Sequence, residues 1–327
     1  MNEIDNGGKQ RTMKSYDEEK IKQMLLISHL YYEKNMGQVE ISKKIGLSRP
    51  TISRSLQTAK EMGLVKIQIE NPFVDFKELE QQLSDKYKAK ISIVPTNYKG
   101  ETTALNSVGM FAAEYLSRII KPEDIIGIGW GKTVHAVTKH IEKRNVLGVQ
   151  AVQLKGSVSF ENERTYAYES ITELAKAFNT QARYLPLPTI FDNVETKKMV
   201  EKDRFIKSIL DLGKQANIAI FTVGVIGKDA LLFHLGYLND EQKKELESKA
   251  VGDIASHFID EKGKIVSQEL DDRTIGIQLE DLKKKEHSIV VASDVEKAAG
   301  VHAVLKAGYA NTAVIGSSLA QNLIDYK

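Results

Sequence analysis

Asp124-Ile125-Ile126-Gly127-Ile128-Gly129-Trp130-Gly131-Lys132-Thr133 is an apolar run that dissolves into alternating glycines and ends on a lysine and a threonine. Residues 124–129 read as a buried strand and 132–144 as the helix after it. A strand that turns through glycines into a helix is the repeating unit of a parallel sheet. The same alternation continues on both sides. Strands are expected over 91–94, 149–154, 182–187, 218–223, 288–292 and 312–315, with helices over 103–120 and 171–178. This predicts an α/β, doubly wound domain with both sheet faces covered, and ligands beyond the carboxyl ends of its strands.

The glycine stretch fits neither familiar nucleotide motif. A P-loop needs glycine where Ile126 stands, and a dinucleotide fingerprint needs glycine or alanine where Lys132 stands. Backbone amides at a helix start, the Thr133 hydroxyl and the Lys132 charge suit an anion. A tight turn whose glycines serve packing fits equally well. Ser293-Asp294-Val295-Glu296-Lys297 resembles a capping box opening a helix that runs to Lys306. Lys297 then lies in a first turn, which disfavours a cation unless an anion is bound. An ordinary exposed lysine is the alternative. In Val152-Gln153-Leu154-Lys155-Gly156-Ser157 a lysine stands at the end of a buried strand, where burial is costly. It either reaches out to water or awaits a ligand.

The first seventy residues have a different pattern. Residues 16–35 read as a helix, Gly37 breaks it, and 38–45 form a short second helix. Gly46-Leu47-Ser48 makes a turn, with Ser48 as N-cap and Pro50 in the first turn of a third helix over 49–62. Ile52, Leu56 and Ala59 share its inner face, and Pro50, Ser53, Arg54 and Gln57 the outer one. Residues 41–60 hold five cations and no acid. This is the helix-turn-helix pattern, with 64–69 alternating like a wing strand. A helix entering the major groove needs donors for base edges and phosphates. Arg49, Thr51, Ser53 and Arg54 are the expected groove contacts, Lys43 and Lys44 the phosphate contacts, and Ser48 and Gln57 complete the DNA-binding set. A three-helix interaction module with a basic face is the alternative. Residues 73–87 carry Phe76, Leu79, Leu83 and Tyr87 at helical spacing, a linker helix that contacts either a second copy or its own domain.

Composition agrees with a globular protein. Apolar residues make up 42% and charged residues 28%, and the net charge is only +2, so any polyanion site is local. Without cysteine, disulfides and thiolate metal sites are excluded, and the seven histidines show no ligand spacing. The N-terminus lacks a secretory apolar core, which fits a cytoplasmic protein. The expected divisions are a disordered tail (1–15), a helix-turn-helix domain (16–70), a linker helix (71–89) and an effector domain (90–327).

The helix-turn-helix stretch, the 127–133 loop, Ala250-Val251-Gly252-Asp253-Ile254, Asp271-Asp272-Arg273-Thr274-Ile275-Gly276-Ile277 and residues 296–315 together resemble the SorC-type bacterial transcription regulators over nearly the whole chain. The resemblance implies a C-terminal domain like sugar-phosphate isomerases, which binds a phosphorylated sugar and alters DNA affinity. It implies a phosphate loop at Gly131, Lys132 and Thr133 with Lys297 in the same site. Gly129, Lys155, Gly224 and Asp253 complete the expected effector set. Two departures stand out. Many relatives carry Thr-Asp-Glu where this chain has Gly316-Ser317-Ser318. At Lys155 they commonly have asparagine, whereas lysine resembles the deoxyribonucleoside-regulator (DeoR) branch of bacilli, whose effector is deoxyribose 5-phosphate.

That branch gives Lys155 two uses: hydrogen bonding as a cation, or, with its pKa lowered from about 10.4 by burial, attack on the sugar aldehyde to give a Schiff base. The resulting expectation is a repressor, not an enzyme, with no cofactor, metal or catalytic residue. Its partners are operator DNA and a sugar phosphate, and it forms a homodimer or homotetramer. One alternative is an isomerase or aldolase-like enzyme with an accessory helical domain, in which Asp253 or Asp192 would be the base. Another is a DNA-binding protein whose sugar pocket serves only oligomerisation.

Overall fold

The computed structural model describes residues 18–65, 76–96, 103–158 and 165–326. The chain divides into two compact units, Met1–Asn71 and Pro72–Lys327. The expected tail, the start of the first helix, residues 66–69 of the wing strand and the start of the linker helix lie outside the described residues.

In the smaller unit, α1 (Glu18–Ser28) runs into a π-helical turn (His29–Glu33), followed by α2 (Gln38–Ile45) and α3 (Arg49–Glu61). Gly46 ends α2 in the left-handed region at φ +74°, with its amide on Ser42 O. Ser48 caps α3 by accepting from Thr51 N at 3.4 Å. Ile27, Leu30, Ile41, Ile52 and Leu56 form the core. Leu64 and Val65, expected to begin a strand, fold back instead, and both amides donate to Ala59 O.

The larger unit opens with α4 (Lys77–Tyr87), β1 (Lys90–Val94), α5 (Ala104–Ile119), β2 (Ile125–Ile128), α6 (Lys132–Thr138), β3 (Gln150–Gln153), α7 (Ala167–Ala177) and β4 (Ala182–Arg183). It continues through α8 (Val194–Glu201), α9 (Arg204–Gln215), β5 (Ile218–Phe221), β6 (Val223–Gly224), α10 (Leu231–His234), α11 (Asp240–Lys249), β7 (Gly252–Ile254) and β8 (His257–Ile259). It closes with α12 (Gln268–Arg273), α13 (Leu279–Leu282), β9 (His287–Ala292), α14 (Ala298–Lys306), β10 (Thr312–Gly316) and α15 (Ser317–Asp325). Seven strands form one sheet in the order β1-β10-β9-β5-β2-β3-β4, and every pairing is parallel. One apolar core packs α4, α14 and α15 on one face, and another packs α5, α6 and α7 on the other. Being buried on both faces, the strands read as continuous apolar runs rather than as alternation.

Three expectations fail, each for a local reason. The helix expected over 132–144 stops at Thr138, because Ile141 turns into the core and Arg144 N bonds Ala177 O. The strand expected over 182–187 pairs only at Ala182–Arg183, because Pro186 and Pro188 supply no ladder donors. The capping box at 293–296 does not form: Asp294 precedes a 3₁₀ turn, Val295–Lys297, without a side-chain cap bond, and Ser293 Oγ donates to Asp294 Oδ1. The helix expected as a linker belongs to the larger unit, with Leu83 and Tyr87 buried against its core. The small antiparallel sheet β6-β7-β8 was not foreseen.

Chain order along the sheet reverses between β5 and β2. Such a reversal splays the loops apart and leaves a crevice at the carboxyl ends of the strands. β2, β3, β5 and β9 all end there.

Candidate functional site

A cavity of about 500 Å³ occupies this crevice. Four strand ends line it: Trp130–Thr133 after β2, Lys155 after β3, Thr222–Gly224 after β5, and Asp294, Glu296 and Lys297 after β9. Asp253 enters from β7 and Tyr166 from just before α7. Of the eight expected effector residues, seven line this cavity. Gly129 does not; its amide closes the sheet on Ile220 O at 2.9 Å, just behind Trp130.

Lys155 is only 5% exposed, so it does not snorkel out to the surface but faces the cavity. Its Nζ donates to Ser256 Oγ at 3.1 Å and stands 3.6 Å from the centre of the Trp130 ring. That ring is fixed by its Nε1–H, which donates to Gly156 O at 2.8 Å. The lysine backbone is pinned by the 275–277 segment, where Ile277 N donates to Leu154 O at 2.7 Å. Gly276 makes the approach at φ +146°, and a Cβ there would lie 2.8 Å from Lys155 Cα. Burial pulls the Lys155 pKa down to about 8, against the opposing charge of Asp253.

Asp253 is buried as well, and burial raises its pKa. Lys155, the Ser256 amide, Lys297 and His257 oppose that rise, in that order. The carboxyl is pressed against Gly224, where a Cβ would meet Oδ1 at 1.8 Å, so any side chain there would displace it. Lys297 Nζ bridges Thr133 Oγ1 at 3.2 Å and Thr222 Oγ1 at 3.1 Å. Burial lowers its pKa, while Asp294 and Asp253 raise it. An ammonium flanked by two hydroxyls is suited to an anion such as a phosphate. Lys132, by contrast, is exposed at the rim. The seven-residue α6 adds little dipole, so here the charge comes from Lys297.

Sequence reasoning passed over Trp130, Thr222, Ser256 and Gly276. Trp130 and Gly276 lie within motifs already singled out, and neither residue type announces a site. Ser256 and Thr222 carry no signal in one dimension; only the meeting of strand ends selects them. Among the described residues no group of His, Asp or Glu is arranged to hold a metal, and no helix is long and apolar enough to cross a membrane.

In the smaller unit Lys43, Lys44, Ser48, Arg49, Thr51, Ser53, Arg54 and Gln57 are all exposed. Three are already engaged: Ser48, the cap, whose Oγ lies 2.8 Å from Thr51 Oγ1, Thr51 through that same contact, and Gln57, whose Nε2 donates to Glu61 at 2.9 Å.

The family described as "Putative sugar-binding domain" matches residues 71–325, and a winged helix-turn-helix DNA-binding family matches residues 21–66. A deoxyribonucleoside regulator of Bacillus subtilis (strain 168) is 44% identical over 313 residues, covering 94% of this chain and 99% of the relative. A sorbitol operon regulator of Klebsiella pneumoniae is 29% identical over 93% and 98% of the two chains. The crystal structure of full-length SorC from K. pneumoniae superposes with a TM-score of 0.69 at 26% identity, covering 94% of this chain and all of that one. The relatives are named as regulators, and this protein is a regulator rather than an enzyme. A DNA-binding helix-turn-helix joined to a sugar-binding α/β domain, matched end to end, places the chain in the SorC-type family of bacterial transcriptional regulators.

Proposed function

We propose that the protein is a cytoplasmic, homo-oligomeric repressor of deoxyribonucleoside catabolism whose effector is deoxyribose 5-phosphate. The observation that carries this reading is a buried lysine of lowered pKa sharing one cavity with a second lysine bracketed by two hydroxyls. The two cations have different tasks. Lys297, with Thr133 and Thr222, takes the phosphate, and Lys132 adds charge at the rim. Lys155 meets the other end of the sugar, where deoxyribose 5-phosphate presents an aldehyde in its open form. Lacking a 2-hydroxyl, this sugar opens more readily than ribose 5-phosphate. With a pKa near 8, about a tenth of the amine is neutral at pH 7, enough to attack the aldehyde and form an imine.

Arg49, Thr51, Ser53 and Arg54 read the operator from α3, and Lys43 and Lys44 contact phosphates. For the sugar to release the operator, it must bind the two states unequally. The test starts from a DNA site selected by the full-length protein from a random pool. Its affinity is measured at fixed salt against a panel of pentose and hexose phosphates. Deoxyribose 5-phosphate weakens operator binding most. Unchanged affinity across the whole panel overturns effector control. Borohydride added with the sugar phosphate traps a reduced adduct on Lys155, and an unmodified Lys155 peptide overturns the imine.

A further inference from the structure

The hairpin joining β7 to β8 turns on Ala255 and Ser256, at φ +50° and +73°. A two-residue turn with both φ positive normally carries Asn-Gly, because a Cβ is strained there. Alanine and serine are strained at such positions. The turn achieves two bonds: Ser256 N donates to Asp253 Oδ2 at 3.0 Å, and Ser256 Oγ accepts from Lys155 Nζ at 3.1 Å. A glycine at 256 would relax the backbone and lose the second bond. The Asp253 carboxyl meanwhile faces Lys155 beyond β3, Lys297 on the 3₁₀ turn and His257 on β8. His257 is itself committed, with Nδ1 2.5 Å from Asp271 Oδ1 and Nε2 2.9 Å from Ile277 O. A buried carboxyl is thus held on the lysine's side of the cavity by a strained turn.

Resting on the Lys155 imine, we propose that Asp253 is the acid that drives imine formation and the base that assists its hydrolysis, with Ser256 as the residue that positions the amine beside it. The neutral amine adds to the aldehyde carbon; the C–N bond forms, the carbonyl electrons move to oxygen, and a proton passes from nitrogen to that oxygen. The carboxylic acid of Asp253 then protonates the carbinolamine hydroxyl. The C–O bond breaks, water leaves, and the nitrogen lone pair closes the C=N bond. A neutral amine and a neutral acid thus become an iminium and a carboxylate, an ion pair inside the protein. Running the same steps backward returns the sugar, so capture is covalent yet reversible. The lowered lysine pKa and the raised aspartate pKa both favour the neutral starting pair.

The test mixes full-length protein with deoxyribose 5-phosphate, quenches with borohydride at successive times and measures the adduct by mass spectrometry. Asp253→Asn slows adduct formation on the order of 100-fold or more, the range of a general acid. It also removes the fall in rate that wild type shows as rising pH strips the proton from Asp253, whose pKa burial raises. Calorimetry with deoxyribitol 5-phosphate, which has no aldehyde, shows the variant's pocket to be intact. Ser256→Ala slows trapping roughly tenfold, the size of one lost hydrogen bond, while leaving affinity for deoxyribitol 5-phosphate as in wild type. Wild-type rate and pH profile in Asp253→Asn overturn the relay while leaving the imine standing. If that variant no longer binds the alcohol, wild-type trapping by Ser256→Ala overturns it instead. A wild-type protein that yields no adduct overturns the imine and the relay together.

Discussion

In the smaller unit all eight candidate DNA contacts are exposed, whereas in the larger unit Lys155 and Asp253 are 5% and 6% exposed. The contrast follows from the partners. DNA is large and stays outside, so the groups that meet it stand on a face that folding does not use. A small sugar is enclosed, so the groups that meet it are removed from water before it arrives. Chemistry on a surface is nearly independent of stability, while chemistry in a cavity is coupled to it. Substitutions on the two sides should therefore fail in different ways.

The largest effect is expected from the thin core of the smaller unit, whose main cluster among the described residues is Ile27, Leu30, Ile41, Ile52 and Leu56. Ile52→Ala, at a fully buried site, costs about 2–5 kcal/mol and abolishes operator binding. Calorimetry should show the larger unit still melting as before and still answering to sugar phosphate. Loss of both activities together would break the division.

Next comes Lys155. Its folded pKa of about 8 lies below its unfolded value of 10.5, so the unfolded chain binds the proton more tightly. Its charge therefore works against folding at neutral pH, by on the order of 3 kcal/mol. That penalty fades as pH rises from 8 to 10.5. Thermal unfolding of wild type relative to Lys155→Met should show wild type gaining stability across that window; a flat difference would place the amine in water.

Arg54→Ala should weaken operator binding by about 1–3 kcal/mol, roughly 5- to 150-fold, and leave unfolding and sugar-phosphate affinity untouched. Equal operator affinity would remove Arg54 from the groove. The smallest effect is Ser48→Ala, about 1 kcal/mol of helix stability from a lost N-cap. A far larger loss of operator affinity than of stability would give Ser48 a direct contact as well.

The helix-turn-helix was legible because its signals are local: a glycine in the left-handed region, a capping serine and a 3.6-residue apolar period. The parallel strands were legible because burial on both faces makes them apolar throughout. What sequence did not reveal was pairwise. Ser256 matters only because Lys155, 101 positions away, reaches its hydroxyl. Gly224 matters because a carboxylate on another strand fills the space of a side chain. The capping box at 293–296 had the right residues, but the chain tightened into a 3₁₀ turn that carries Lys297 over Thr133 and Thr222. Lys155 was the intermediate case: its oddity showed in one dimension, its purpose only in three.

Trp130 is the chain's single tryptophan. Its indole is tethered through Nε1 to Gly156 O, shielded from solvent, and its nearest cation is the Lys155 amine, 3.6 Å from the ring centre. The protein thus carries an optical probe beside the lysine of the proposed imine, free of background from any other indole. Ultraviolet emission alone should follow that nitrogen from ammonium to amine to iminium, in real time and without a label.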